Sequence, residues 1–354
     1  MSKICIIGAS NLKHISLVSL YTTYFDKNGI PYDLIYWDRY GIDEETTAQN
    51  VFRYRNSRVK GILNRVTGFI SFRRFVLRKL RENQYKTLII WQTTVGYLLF
   101  DQLIIKYKNR YVINVRDYVT ENKPILRQMI KELVANAGMV AISSECFKEF
   151  LPQSKYITVN SINEEILSCN EVHRAEHSGS LYKIGFVGNC RYFRECYKLI
   201  DALANDSRYE LWYCGTNSEV LAEYARQKNI NNVFVKPSFK KEETLKLFSE
   251  FDIVNSAFGN DAFDNRTLVP IRLYTALSLH IPVLANAGTQ LAKEILSSST
   301  GFVIQSYETL GDRLFEYLSD LNQEAFVSSC DRYITDSRKM NEEFYKALGA
   351  LLGR

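Results

Sequence analysis

Short apolar, β-branched segments alternate along the chain with longer stretches whose apolar residues recur at helical spacing. This alternation is typical of βα units built around a parallel sheet. The first half predicts strands at Lys3–Ile7, Tyr32–Tyr36, Thr87–Trp91, Tyr111–Val115, Met139–Ile142 and Tyr156–Val159. The pattern then restarts, and predicts strands at Lys183–Val187, Tyr209–Tyr213, Val233–Val235, Ile253–Asn255, Val283–Ala285 and Phe302–Ile304. We therefore expect an α/β protein with two consecutive Rossmann-like domains.

A polar segment without an apolar period, residues 169–180, separates the two series of strands. We place the domain boundary there, so that residues 1–168 form the first domain, residues 169–180 a linker and residues 181–336 the second domain. Residues 337–354 predict a C-terminal helix that could pack on either domain. The length of 354 residues agrees with two domains, since a domain usually has about 150 residues.

The composition is that of a globular protein, with 46% hydrophobic and 24% charged residues. No apolar run approaches the roughly 20 residues that cross a bilayer, and the first residues predict a strand rather than a signal peptide. The seven cysteines are scattered, without a Cys-x-x-Cys pair or histidines at metal-ligand spacing. We expect a cytoplasmic protein with reduced thiols and no structural metal.

Positive charge is concentrated in the first half of the chain. Residues 1–180 carry 25 Lys and Arg against 17 Asp and Glu, and residues 51–81 contain ten basic residues without one acid. Within that run, residues 69–81 predict an amphipathic helix whose basic positions include Arg73, Arg74, Arg78 and Lys79. Such a helix suits an anionic membrane surface, and the alternative is a core helix with a solvated basic face. No nucleic-acid-binding motif accompanies the charge, so we expect no nucleic acid partner.

Two loops of the first domain carry candidate chemistry. The loop after the first strand, Gly8 to His14, lacks the three-glycine spacing of a dinucleotide site, so a nicotinamide cofactor is not expected. His14 could act there as a base or phosphate ligand, or simply cap a helix. Asp117 follows another strand beside Arg116, where a carboxylate held by an arginine suits a general base. The alternative is an ion pair that closes the strand end.

The second domain opens with a strand that ends at Gly188, and Arg191 and Arg194 follow just before a helix. Backbone amides, the helix dipole and guanidinium groups all favour an anion, so this loop is a candidate seat for a diphosphate. A further strand ends at Gly215 and Thr216 on the same expected edge of the sheet.

The order of segments from Lys183 to about Ile304 resembles the nucleotide-sugar-binding domain of GT-B glycosyltransferases, in particular the family-4-like enzymes of bacterial capsule and surface-polysaccharide assembly. The resemblance rests on Phe-Val-Gly188, the strand ending at Gly215, the Leu273-Tyr-x-Ala-Leu helix leading into Ile281-Pro-Val-Leu-Ala, and the Gly288-Thr289 turn. The first half is similar to the acceptor domain of that family. The implied fold is two Rossmann-like domains that face each other across a cleft.

The resemblance implies a set of donor-binding residues in the second domain, with Arg272 on the donor phosphates. These residues are Gly188, Arg191, Arg194, Gly215, Thr216, Lys236, Arg272, Leu273, Tyr274, Thr275, Gly288 and Thr289. One departure matters, because many retaining members carry two glutamates eight residues apart that contact the donor. Here those positions are Thr267 and Thr275, so neither carboxylate is present.

The expected function is transfer of a sugar from a nucleotide-diphosphate sugar, with UDP as the nucleotide, to a lipid-linked saccharide at the inner face of the plasma membrane. If the enzyme inverts the anomeric configuration, Asp117, or else His14, would activate the acceptor hydroxyl. Arginines rather than a metal would neutralise the diphosphate, since the sequence has no Asp-x-Asp motif. Two alternatives remain. One is a catalytically weakened sugar-nucleotide-binding subunit of a transferase complex, and the other is a sugar-nucleotide epimerase of the same architecture.

Overall fold

The computed structural model of the chain describes residues 3–15, 17–57, 61–117, 123–168 and 179–353. The chain forms two compact units. The first extends to Asn160 and takes up the chain again from Lys339, and the second runs from Ser161 to Arg338. Of the predicted linker, residues 169–178 lie outside the described residues.

In the described part of the first unit, the strands form a seven-stranded parallel sheet in the order β3-β2-β1-β4-β5-β6-β7. Its strands are β1 (Ile4–Gly8), β2 (Tyr32–Asp38), β3 (Asn50–Arg55), β4 (Thr87–Trp91), β5 (Tyr111–Val115), β6 (Met139–Ile142) and β7 (Ile157–Thr158). The strand order reverses between β1 and β4. In open α/β sheets, ligands bind beyond the carboxyl ends of the strands at such a reversal.

The helices of the first unit cover both faces of this sheet, as parallel sheets require. They are α1 (Ser19–Lys27), α2 (Ile62–Asn83), α3 (Thr93–Leu98) and α4 (Pro124–Ala135), with a π-helix at Gln102–Lys106 and 3-10 helices at Leu12–His14 and Glu145–Glu149. The residues of β1, β2, β4, β5 and β6 are all buried, and their apolar side chains form the core together with Phe72, Val76 and Leu80 of α2.

The second unit has a six-stranded parallel sheet over its described residues, in the order β10-β9-β8-β11-β12-β13. Its strands are β8 (Tyr182–Val187), β9 (Tyr209–Cys214), β10 (Val233–Lys236), β11 (Ile253–Asn255), β12 (Val283–Asn286) and β13 (Gly301–Ile304). The order reverses between β8 and β11, which makes the carboxyl ends of those two strands the expected ligand position.

The helices of the second unit lie between these parallel strands in the chain, as in βαβ units. They are α5 (Glu164–Leu167), α6 (Phe193–Ala202), α7 (Glu219–Gln227), α8 (Thr244–Ser249), α9 (Phe263–Thr267), α10 (Ile271–Ser278), α11 (Gln290–Ser298) and α12 (Leu310–Ser319), with a 3-10 helix at Lys241–Glu243.

The last helix, α13 (Gln323–Leu352), belongs to both units, since it starts in the second and its final part packs on the first. Phe344 makes an edge-on contact with Tyr21, with ring centroids 5.2 Å apart. Asn341 exchanges two hydrogen bonds with the backbone of Asn160, at 2.8 and 3.0 Å. These contacts attach the C-terminal turns of α13 to the first unit.

The prediction of two Rossmann-like sheets is confirmed, and each of the twelve predicted strands is present. The pattern missed β3, because Val51 to Arg55 alternates apolar and basic residues inside the acid-free run. β3 is an edge strand of the first sheet, so only one neighbour covers it and its outward positions can be charged. Arg55 bonds to Asp38 at 2.9 Å, which neutralises part of the basic run.

Candidate functional site

The loop after β1 is fixed to the loop after β2 through the buried side chain of Asn11. Its amide nitrogen donates to Asp38 at 2.9 Å and to Glu44 at 3.0 Å, and its amide oxygen accepts the backbone N–H of Arg39 at 2.8 Å. Asparagine supplies both donors and an acceptor, which this junction uses together. The two loops therefore form one rigid rim at the carboxyl edge of the first sheet.

Asp38 is the anionic centre of that rim and is fully buried. Its carboxylate accepts the backbone N–H groups of Tyr40 and Gly41 at 3.1 and 2.8 Å, and the guanidinium of Arg55 at 2.9 Å. Burial alone would raise the pKa of Asp38, but the hydrogen bonds from Asn11, Arg55 and the backbone lower it to about 2. Asp38 is thus a charged structural anchor at neutral pH.

The two predicted catalytic residues both lie on this edge. His14 is exposed, and its ring centroid lies 5.3 Å from that of Tyr40. Asp117 is also exposed, and its carboxylate accepts a hydrogen bond from Gln92 Nε2 at 3.3 Å. β1, β4 and β5, whose ends carry His14, Gln92 and Asp117, are consecutive in the sheet. The fold therefore places these side chains beside the reversal of strand order.

In the second sheet, two predicted glycines meet at the carboxyl ends of β8 and β9. Gly188 and Gly215 have φ angles of +132° and +128°, which residues with a side chain rarely adopt. A Cβ on Gly215 would lie 2.1 Å from the carbonyl oxygen of Gly188, so the two backbones come too close for any side chain. Thr216 follows on the surface, and its carbonyl accepts the N–H of Cys190 at 2.9 Å.

Arg272, at the start of α10, brings a cation to the reversal of strand order in the second sheet. Its guanidinium carbon lies 3.8 Å from the ring centroid of Phe186 and 4.8 Å from that of Phe258, and Nη1 donates to the carbonyl of Asn255 at 3.2 Å. Burial lowers its pKa to about 10, so it stays charged at neutral pH. Among the residues that the structure describes, no carboxylate pairs with Arg272. A partly buried cation without an acid favours an anionic ligand.

The other predicted basic residues are held differently. Arg191 is exposed and stacks on Tyr192, with its guanidinium 5.1 Å from the ring centroid. Arg194 forms an exposed ion pair with Asp261. Lys236, at the end of β10, pairs with Glu243 at 3.0 Å. Within the described part of the chain, Arg191 and Arg272 therefore have no carboxylate partner, whereas Arg194 and Lys236 each pair with one.

Three neighbouring residues assigned to donor binding have side chains in the interior. Leu273 is fully buried in the core, and Tyr274 packs against Tyr333 with ring centroids 6.1 Å apart. Thr275 is buried and donates to the carbonyl of Ile271 at 3.3 Å. The side chain of α10 that reaches the carboxyl edge is that of Arg272.

The Gly288-Thr289 turn starts α11 in the way its sequence suggests. The φ angle of Gly288 is +76°, and Thr289 accepts the backbone N–H of Ala292 at 3.0 Å as the N-cap of the helix. Gly288 is exposed at the edge, beside Asn260, whose amide nitrogen would lie 3.3 Å from a Cβ at this position.

The sequence analysis missed a buried chain of hydrogen bonds behind this edge. Glu195 accepts from Lys198 at 2.6 Å and from the hydroxyl of Tyr307 at 3.1 Å. Asn286 donates to that hydroxyl at 2.9 Å and accepts the N–H of Gly259 at 2.7 Å. The chain fixes the loop that carries Phe258, which stacks on Arg272. Asn286 is the last residue of β12, and Tyr307 follows the end of β13. A polar residue at a strand end was therefore the one feature of the sequence that could have indicated these two residues.

The basic run of the first unit forms part of β3 and most of α2. Phe72, Val76 and Leu80 are buried, as expected for the apolar face of the predicted amphipathic helix. Two of the basic residues make local contacts. Arg73 pairs with Asp101 at 2.9 Å, and Lys79 pairs with Glu82 at 2.7 Å.

The remaining two of the four predicted positions lie toward solvent. Arg74 and Arg78 are exposed, and Arg78 lies 3.8 Å from Glu82. The helix is thus a core helix with a charged outer face. In the described part of the chain, no helix has both the length and the apolar character needed to cross a bilayer.

The comparisons with family models and with curated proteins gave no match. Solved structures match over nearly the whole chain. Sucrose-phosphate synthase from Thermosynechococcus elongatus has a TM-score of 0.74 at 11% identity, covering 99% of this chain and 98% of that one. HepE from Anabaena, solved with UDP-glucose, has a TM-score of 0.69 at 13% identity, covering 99% and 100%.

A third match is WaaG, a glycosyltransferase involved in lipopolysaccharide biosynthesis, with a TM-score of 0.65 at 12% identity and coverage of 98% of each chain. At such identities, the likeness concerns the fold. Since the matches cover 98% or 99% of this chain, both sheets are included in them. The chain therefore has the fold of the GT-B glycosyltransferases.

Proposed function

We propose that the protein is a glycosyltransferase that moves a sugar from a nucleotide-diphosphate sugar, bound by the second unit, to a lipid-linked saccharide bound by the first. The observation that carries this proposal is the uncompensated guanidinium of Arg272 at the strand reversal of a GT-B fold. We place the reaction in surface-polysaccharide assembly, at the inner face of the plasma membrane. The acid-free basic run of the first unit supports a location at an anionic surface.

The donor diphosphate would lie at the carboxyl ends of β8 and β9. Gly215 lets the backbone of Gly188 pack against it, and the open space where Gly188 lacks a side chain leaves room for phosphate oxygens to approach the backbone. Arg272 and Arg191 supply positive charge. As the bond between the anomeric carbon and the diphosphate oxygen breaks, negative charge grows on the leaving group. Fixed cations in a partly desolvated position stabilise such charge strongly, so we propose a transfer that uses no metal ion.

Asp117 is the proposed general base of the first unit. Gln92 orients its carboxylate, which is exposed to a substrate at the carboxyl edge. The carboxylate takes the proton of the acceptor hydroxyl while the hydroxyl oxygen bonds to the anomeric carbon and the nucleoside diphosphate leaves. His14 is the alternative base, since it is exposed on the same edge.

The nucleotide that we propose is UDP. The support is structural similarity, since HepE binds UDP and UDP-glucose and shares this fold over 99% of the present chain. In this scheme the residues at the β8, β9, β10 and β12 ends, including Thr216, Lys236, Gly288 and Thr289, surround the nucleotide-sugar.

One observation favours a second candidate, a weakened sugar-nucleotide-binding subunit of a transferase complex. Thr267 and Thr275 occupy positions where similar retaining enzymes carry glutamates, and both hydroxyls bond back to their own helices at 3.0 and 3.3 Å. Neither side chain offers a carboxylate to a sugar, and both are buried. Such a subunit would bind the donor without turning it over.

A thermal-shift screen of the purified chain against UDP, GDP, CMP, TDP and their common sugars tests the donor assignment. A ligand that binds only the folded state raises its Tm, because binding adds to the free energy of unfolding. At a ligand concentration of one hundred times the Kd, this gain is about 2.7 kcal/mol. We expect a selective shift with UDP and one UDP-sugar. Release of UDP with an extract of lipid-linked saccharides then separates the candidates, because the weakened subunit gives the shift without turnover. No shift with any nucleotide would contradict both.

A further inference from the structure

Helix α2 extends past the carboxyl edge of the first sheet. It runs antiparallel to the strands, because Asn83 at its end bonds to Lys3 before β1, whereas Gly68 lies on Trp37 near the end of β2. A Cβ on Gly68 would lie 2.6 Å from the Trp37 ring, so the helix is closely seated there. Residues 62–67 precede this contact, and at 1.5 Å a residue they project roughly 9 Å beyond the strand end.

Large aliphatic side chains are exposed on this projecting part and on the turn that follows it. Leu63 is 81% exposed, Val66 52% and Ile70 46%. Their spacing of three and four residues places them on one face of the helix. Exposed aliphatic residues occur singly on many proteins, but three in one stripe on a helix end form a patch that favours burial against a partner.

The charge around the stripe is positive. Arg74 lies exposed four residues after Ile70, on the side of the stripe, whereas Arg65 lies exposed on the opposite side of the first turns of α2; neither pairs with a carboxylate in the part of the chain that the structure describes. No acidic residue occurs between 51 and 81. A second copy of this chain on the stripe would bring two such basic faces together, so the charge argues against self-association. An anionic lipid surface would bury the apolar stripe and pair with Arg74.

We propose that the N-terminal half of α2 inserts Leu63, Val66 and Ile70 into the headgroup region of a bilayer of anionic phospholipid, while Arg74 contacts the lipid phosphates. This inference rests on the proposed function for its choice of a lipid partner. It moves the membrane contact away from Arg73 and Lys79, which pair with Asp101 and Glu82.

Insertion at this point has a geometric consequence. The stripe projects from the same edge of the sheet as His14 and Asp117, because α2 starts where β3 ends. Docking therefore brings the carboxyl edge of the first sheet close to the lipid headgroups. An acceptor whose hydroxyl lies within one or two sugars of a lipid diphosphate fits this arrangement better than a long free oligosaccharide does.

Vesicle co-sedimentation of the full chain tests the inference. We expect the wild-type chain to bind vesicles of 70% phosphatidylcholine and 30% phosphatidylglycerol, and to bind pure phosphatidylcholine much less. The variant L63S/V66S/I70S is expected to lose more than tenfold in partition coefficient. Arg74→Gln is expected to lose about fivefold, since a basic residue near the surface contributes about 1 kcal/mol. Raising the salt concentration should weaken binding of the wild-type chain, which tests the charge without any variant.

Ile105→Ser is the matched control. Ile105 is 78% exposed in the same unit, but it precedes β5 and so lies at the opposite, amino edge of the sheet. The control is expected to bind vesicles like the wild type. Equal losses in the control and the triple variant, or unchanged binding in the triple variant, would overturn the inference. So would a dimer in analytical ultracentrifugation that dissociates only in the triple variant, since the stripe would then bind a second copy.

Donor binding separates this inference from the proposed function. The triple variant should keep the thermal shift with UDP-sugar, because the stripe belongs to the other unit. We expect that variant to lose vesicle binding but to keep its transfer activity toward a soluble acceptor. A wild-type chain that binds vesicles but no nucleotide sugar would contradict the proposed function and leave the membrane contact standing. A wild-type chain that binds nucleotide sugar but no vesicle would do the reverse.

Discussion

The carboxyl edges of the two sheets differ in how their buried charges are balanced. At the first edge, the carboxylate of Asp38 is surrounded by Arg55, Asn11 and backbone amides. At the second, the guanidinium of Arg272 lies between two aromatic rings without an acid among the described residues. A balanced edge exerts little net field on a ligand, which suits a neutral saccharide. An unbalanced cation gains an interaction when an anion binds.

Removing the unbalanced charge should have the largest effect. Arg272→Ala is expected to lower kcat/KM more than 100-fold, since loss of one group that stabilises developing charge costs about 10² to 10³ in rate. The thermal shift with UDP-sugar should vanish, while the Tm of the free protein changes little. Initial-rate kinetics and thermal melts check this. Arg226→Ala, which removes an exposed arginine paired with Glu223 in the same unit, is the control and should behave like the wild type. Normal turnover of Arg272→Ala would exclude Arg272 from the site.

At the first edge, the test concerns chemistry rather than charge balance. Asp117→Asn keeps the shape of the side chain but removes its basicity, and a general base contributes about 10² to 10⁴ in rate. We expect kcat to fall about 100-fold with the donor-induced thermal shift unchanged. The parallel variant His14→Gln decides between the two candidate bases. If His14→Gln abolishes turnover and Asp117→Asn does not, the base is His14.

The balanced charge of Asp38 should appear in stability instead of kinetics. Asp38→Asn is expected to lower the free energy of unfolding by about 2 kcal/mol at pH 7, because it weakens charge-assisted hydrogen bonds. The pKa of Asp38 is lowered to about 2 in the folded protein, so its contribution is present above the ordinary pKa of aspartate and is lost as the pH falls toward 2. Urea unfolding at several pH values measures this. A difference between wild type and variant that persists unchanged at pH 2 would contradict it.

The smallest effect is expected for the hydrogen-bonded chain behind Arg272. Tyr307→Phe removes the hydroxyl that joins Glu195 to Asn286 and so loosens the loop that carries Phe258. We expect the KM for the donor to rise about fivefold, roughly 1 kcal/mol, with kcat nearly unchanged. Tyr224→Phe, which removes a surface hydroxyl bonded to Asp201 in the same unit, is the control. Equal KM values for the two variants would show that the loop needs no such support.

The fold was largely predictable because parallel strands buried on both faces read as continuous apolar runs. β3 was missed because an edge strand is covered on one side only, and its alternating Phe52, Arg53, Tyr54 and Arg55 belong to a run that is dominated by charge. The candidate residues at strand ends, such as Gly188 and Asp117, were predictable because the topology fixes where strand ends meet.

Pairing between distant residues was not predictable. Nothing local in the sequence shows that Arg194 meets Asp261, that Glu195 meets Tyr307, or that Arg73 meets Asp101. These contacts depend on the spacing of elements up to about a hundred residues apart in the chain, which one sequence does not reveal. They nevertheless decide which arginines remain available to a ligand.

The division of α13 between the two units also affects the order in which they can fold during synthesis. Phe344 and Leu348 are fully buried in the first unit, although the whole second unit lies between them and Asn160 in the chain. On the ribosome, residues 161–338 are complete before these side chains emerge, so the second unit can reach its native state first. Until α13 is made, the first unit lacks the contact between Tyr21 and Phe344. A chaperone that holds nascent chains would therefore find its main substrate in the portion that is made first.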